Sequence, residues 1–160
     1  MAKKKSSSTA KGTASIIAVV CSALAAVVFC LPQFTRTVIR KLEVNGFELS
    51  FGFKDITDIS GKPIFFISFI VGILVAVLVL ATILAKSARK NGRMIHAIGA
   101  LLSVAAVVCI VITLTTIRDI TYFKAILDVT KNGKFTLWIY AGIALHSLSA
   151  ISCAYRAFVR

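Results

Sequence analysis

Four stretches of this chain, 12–35, 63–85, 94–117 and 135–155, contain no Asp, Glu, Lys or Arg, and every charged residue lies outside them. An α-helix advances about 1.5 Å per residue, so ~20 apolar residues cross a hydrocarbon core ~30 Å thick. Each stretch is 21–24 residues long. The pattern therefore predicts an all-α membrane protein built as a bundle of four transmembrane helices. Hydrophobic residues make up 58% of the chain, above the ~45–50% usual for soluble domains. The connecting segments are too short to enclose cores of their own. One transmembrane domain, 12–160, is expected to follow a basic tail, 1–11, that reads as disordered and cytoplasmic because it has no apolar anchors.

The formal net charge is +13. In a soluble protein that would suggest nucleic acid, but membrane proteins use Lys and Arg beside their helices to set orientation. No basic stripe interleaved with exposed aromatics occurs, so nucleic acid is not an expected partner. Lys3, Lys4, Lys5 and Lys11 precede the first window, and Lys86, Arg89, Lys90 and Arg93 crowd the short second gap. This density predicts both termini on the cytoplasmic side of the plasma membrane, with 36–62 and 118–134 as outer loops. All six acids, Glu43, Glu48, Asp55, Asp58, Asp119 and Asp128, fall in those outer loops. The apolar run of the first window closes with Phe29-Cys30-Leu31-Pro32 and no small-residue cleavage site, so it reads as a retained helix.

The first outer loop carries β character. Leu42-Glu43-Val44, then Asn45-Gly46, then Phe47 to Phe53 reads as a β-hairpin, because Asn-Gly suits a two-residue type I′ turn. Alternation then aligns Phe47, Leu49, Phe51 and Phe53 on one apolar face. That face is the candidate interaction surface, covering the helix ends or receiving a partner. In the second loop Ile120, Phe123, Ile126 and Leu127 share a helical face, which reads as an interfacial helix or an extension of the third span.

Within the windows no carboxylate occurs, although proton-coupled carriers generally rely on one. Small four-helix multidrug transporters share the span count, but their first-helix glutamate has no counterpart in 12–35. His96 lies near the cytoplasmic end of the third window. His146 lies mid-span in the fourth and is the candidate intramembrane polar residue, either hydrogen-bonded across helices or facing a pathway. Small residues recur at four-residue spacing: Ala14, Ala18, Ser22 and Ala26; Gly99 and Ser103; Ser149 and Cys153. Such stripes allow close helix approach within one bundle, with a homo-oligomer as the lesser alternative. Cys21, Cys30, Cys109 and Cys153 all fall inside windows and read as packing residues. No catalytic triad, phosphate loop or metal-ligand spacing is present, so no catalytic residue, cofactor or metal is assigned and the chain reads as non-enzymatic.

Four helices, inside termini and a larger first loop with β character resemble the claudin and tetraspan arrangement in topology. Claudins carry Gly-Leu-Trp and paired cysteines in that loop, and this loop has neither Trp nor Cys. The segment Val44-Asn45-Gly46-Phe47-Glu48-Leu49-Ser50-Phe51-Gly52 is similar to small four-helix bacterial membrane proteins of unknown function. That resemblance implies a multi-pass plasma-membrane protein and carries over no catalytic residue. The expected partners are the lipid bilayer and a protein in the membrane or at its outer face. The expected role is that of an interaction, scaffold or accessory subunit, with a small oligomeric transporter or channel as the alternative.

Overall fold

The computed structural model describes residues 2–37, 41–52, 61–85, 88, 90–124 and 133–159. Four long helices dominate: α1 (Ala2–Phe29), α3 (Pro63–Leu84), α4 (Gly92–Lys124) and α5 (Leu137–Phe158). A short helix, α2 (Gly46–Phe51), and three strands, β1 (Pro32–Thr37), β2 (Lys41–Asn45) and β3 (Gly133–Phe135), gather at one end. Within the long helices the apolar spans are Ala10–Phe29, Pro63–Leu84, Gly92–Ile117 and Leu137–Phe158. This is a multi-pass membrane protein. The four spans agree with the charge-free windows to within a few residues, apart from the end of the first.

That first window was expected to stay helical through 35, but α1 stops at Phe29 and the chain turns at Cys30 and Leu31. Pro32 is the cause: it has no N–H to donate and biases the preceding residue away from helical geometry. At its other end α1 begins at Ala2, so the basic segment read as a disordered tail continues the helix. Extending a formed helix costs far less than nucleating one, and Ala and Lys extend it readily. The third span likewise runs on to Lys124, the helical extension anticipated for the second loop; 126 and 127 lie outside the described residues.

The long helices form a ring in which α1 packs on α3 and α5, and α4 packs on the same two. Sequence neighbours are thus spatial neighbours, the usual arrangement of successive elements. Since lipid tails are as apolar as leucine, close packing and interhelical hydrogen bonds must hold the ring. The small-residue stripes supply that packing: Ala14, Ala18, Ser22 and Ala26 on α1, Ser103 on α4, and Ser149 and Cys153 on α5 all point inward. At Gly99 a Cβ would lie 3.2 Å from the Cys153 sulfur, so the α4–α5 approach leaves little room for a side chain. Outward stand Ile16, Val20, Val27, Ile70, Val77, Leu101 and Val108, apolar and exposed toward the lipid.

The sheet closes one end of the ring. β1 is its middle strand, antiparallel to β2 on one side and to β3 on the other. A hairpin in the first loop was expected, and one is present, but its strands are β1 and β2 rather than the segments flanking Asn45-Gly46. Asn45 is instead the N-cap of α2. Its side-chain oxygen accepts from Glu48 N–H at 3.0 Å, and Glu48 Oε2 accepts from Asn45 N–H at 2.8 Å. This reciprocal capping box satisfies two donors that a hairpin turn would not, and the Asn-x-x-Glu spacing carries it.

Candidate functional site

Phe29, the last residue of α1, is the hub of the sheet end. Its ring stacks on Phe65 at 4.9 Å, meets Phe47 edge-on at 5.1 Å and lies 5.1 Å from Phe69. Phe66 extends the cluster to Phe47, Phe69 and Phe51 at 5.9, 5.7 and 5.0 Å. Such pairs each contribute about 0.5–1.5 kcal/mol beyond their buried area, so the cluster fixes α2 rigidly on the ends of α1 and α3. The close seating also demands glycine at 46, where a Cβ would run into the carbonyl oxygen of Phe29 and sit 2.7 Å from two of its ring carbons. At the other end of α2, Gly52 takes φ +96° and donates to the Glu48 carbonyl, a conformation glycine adopts without strain.

The helix separates the residues that a strand would have aligned. Leu49 is 0% exposed and packs with Phe29, Phe34, Val44 and Phe65 in the core, so it cannot present itself to a partner. Phe51 is 64% exposed and Phe47 38%, and both faces rest on the Phe66 ring. Phe53 lies outside the described residues. What remains of the proposed face is a two-residue aromatic ridge on a rigid seat. Around the rim of the same end, Leu137, Trp138 and Tyr140 are also exposed.

Sequence reasoning passed over Gln33, which is 1% exposed. The β1–β2 register slips between Pro32 and Phe34, and the extra residue is Gln33, bulged out of the ladder. Its amide nitrogen donates to the carbonyls of Val28 at 2.5 Å and Leu31 at 3.0 Å, closing the exposed end of α1. A polar residue directly after a helix-breaking Pro was the available signal.

His146 is 2% exposed, on the inward face of α5. Among the described residues its Nδ1 has no hydrogen-bond partner. It borders a cavity of ≈ 10 Å³ shared with Gln33, Ser68, Phe65, Ile110 and Gly142, about the room one water needs. One helical turn deeper, Ser149 ties three helices together. Its hydroxyl oxygen lies 2.7 Å from that of Ser22 on α1 and accepts from Ser103 on α4 at 3.2 Å. His96 and Ser15 join opposite members of the ring, Nε2 to Oγ at 3.0 Å. Because a carbonyl only accepts, the 2.6 Å contact with the Gly92 carbonyl places the proton on Nδ1. Nε2 of that tautomer then accepts from the Ser15 hydroxyl.

These polar contacts link the helices of the ring. Among the described residues, no three His, Cys, Asp or Glu side chains converge as a metal site would need. The chain matches no protein-family model, and no curated protein or solved structure shows significant similarity to it.

Proposed function

We propose that this is a non-enzymatic multi-pass membrane protein that works by binding another protein, as a scaffold or accessory subunit, at its sheet end. The observation that carries the reading is the pair Phe47 and Phe51, held exposed on a helix that the capping box and the Phe29 cluster make rigid. Rigid aromatic side chains lose little conformational entropy on binding and dominate interface energetics. Trp138 and Tyr140 on the rim of that end add surface of the same kind. With both termini cytoplasmic, as the Lys and Arg pattern suggests, the ridge faces outward from the plasma membrane.

A photoreactive benzoylphenylalanine placed at 51 in native membranes is expected to yield a discrete heavier protein adduct. Phe51→Ser should abolish co-purification of that partner at a stability cost limited to its single ring contact with Phe66, about 0.5–1.5 kcal/mol. Adducts to lipid alone, from both 47 and 51, would overturn the reading.

A second reading, a small oligomeric transporter or channel, draws its support from His146 and the water-sized cavity beside it. Proteoliposomes decide between the two. Solute flux that disappears in His146→Leu favours transport, and flux absent from correctly folded protein removes it.

A further inference from the structure

At the end of the ring opposite the sheet, a pocket of ≈ 270 Å³ opens between α1, α3 and α5. Lys11, Gly12, Ser15 and Ile16 form one wall, Thr82 and Ile83 the second, and Arg156 the third. Two cations from helices that are far apart in sequence therefore face one space. No Asp or Glu is among the described residues that line the pocket. The two hydroxyls are already committed: Ser15 to His96, and Thr82 to the carbonyl of Val79 at 2.7 Å. Among the described residues, the donors left to a ligand are thus the Lys11 ammonium and the Arg156 guanidinium, which suit an anion bearing several acceptor oxygens.

Depth narrows the choice of anion. Lys11 is the second residue of its apolar span, Ile83 the second-last of its own, and Arg156 lies two residues before the end of the fourth. All three stand where hydrocarbon gives way to headgroups. Below the cations, Ile16 is exposed and continues the wall into the lipid-facing surface. An amphiphile with a phosphate above and a chain below matches that order of surfaces. The volume lies near the lower bound of ~300 Å³ for small-molecule sites, the size of a headgroup rather than a whole lipid. Gly12 leaves the wall open, since a Cβ there would meet nothing within 4 Å.

We infer that this pocket binds the phosphate of an anionic phospholipid headgroup, with Lys11 and Arg156 as its ligands. The binding is distinct from general attraction between the membrane and the basic residues before Lys11, because it depends on two side chains converging across three helices.

The test uses the full chain in phosphatidylcholine nanodiscs with and without phosphatidylglycerol, read by native mass spectrometry and by melting temperature. The wild-type chain should retain a phosphatidylglycerol adduct and melt higher when that lipid is present. Lys11→Gln/Arg156→Gln should bind about tenfold more weakly or worse, each cation near an anionic surface being worth ~1 kcal/mol. Lys3→Gln/Lys4→Gln/Lys5→Gln should keep the adduct. Gly12→Phe, which fills the pocket without changing charge, should lose it, and an unchanged melt in phosphatidylcholine alone confirms that each variant is folded. Equal retention of both lipids by the wild type, or an adduct undiminished in the folded double variant, overturns the inference. Stabilisation by inorganic phosphate equal to that by phosphatidylglycerol overturns the lipid assignment and leaves a free-anion site.

Discussion

The serine junction offers the sharpest quantitative test of how this bundle is held. Ser22, Ser103 and Ser149 are each 0% exposed, and Ser149 makes both hydrogen bonds of the group. Interhelical hydrogen bonds in membranes average about 0.6 kcal/mol and reach about 1.7. Ser149→Ala should therefore cost ~1.2 kcal/mol, and Ser22→Ala or Ser103→Ala ~0.6 each. The single losses total ~2.4 kcal/mol, yet the triple variant removes only two bonds and leaves no buried hydroxyl without a partner, so it should cost ~1.2 or less. Because the side chains lose only an oxygen, no sizeable cavity confuses the comparison. Unfolding by sodium dodecyl sulfate in mixed micelles, followed through Trp138, the single tryptophan of the chain, reads these differences directly. A triple variant whose cost equals the sum of the singles would refute the reasoning, since independent contributions are what a shared network forbids.

Other substitutions probe the sheet end and the interior. Asn45→Ala removes the side-chain arm of the capping box, the acceptor for Glu48 N–H, and should cost ~1 kcal/mol, with faster amide exchange confined to α2. Gly46→Ala should cost ~1–3 kcal/mol by overpacking against Phe29, whereas Gly92→Ala, whose Cβ meets nothing within 4 Å, should stabilise α4 by ~0.5–1 kcal/mol in the same unfolding assay. His146→Leu removes a buried nitrogen with no partner among the described residues, so stability should hold or rise; a loss above ~2 kcal/mol would mean that Nδ1 holds a bound water or ligand.

The spans were legible because the bilayer admits so few alternatives: a chain without charge over about twenty residues has to satisfy its backbone internally, and a helix does so. The sheet end was harder to read. Asn45-Gly46 fits a hairpin turn as well as a capping box, and what separates them is Glu48 reaching back to the Asn45 N–H. The β1–β3 pairing joins Phe34 to Phe135 across most of the chain, and nothing local in either segment announces it. The same holds for the serine junction: the stripes were visible, but which three hydroxyls meet depends on helix rotation. Lys11 read from sequence as a topology signal, and only the fold brings it to one pocket with Arg156.

The middle position of β1 has a consequence for how the protein is made. Thr136, at the mouth of α5, hydrogen-bonds the Pro32 carbonyl, 104 residues earlier. At ~5–20 residues per second of synthesis, β1 waits roughly 5–20 s with one edge open before β3 exists to cover it. Through that interval three spans can already occupy the bilayer, but the lid over their ends is unfinished. The last strand thus acts as a fastener that engages only when the final span arrives. Chains truncated before 133 should keep that edge available to quality-control factors, which would distinguish incomplete products from finished ones.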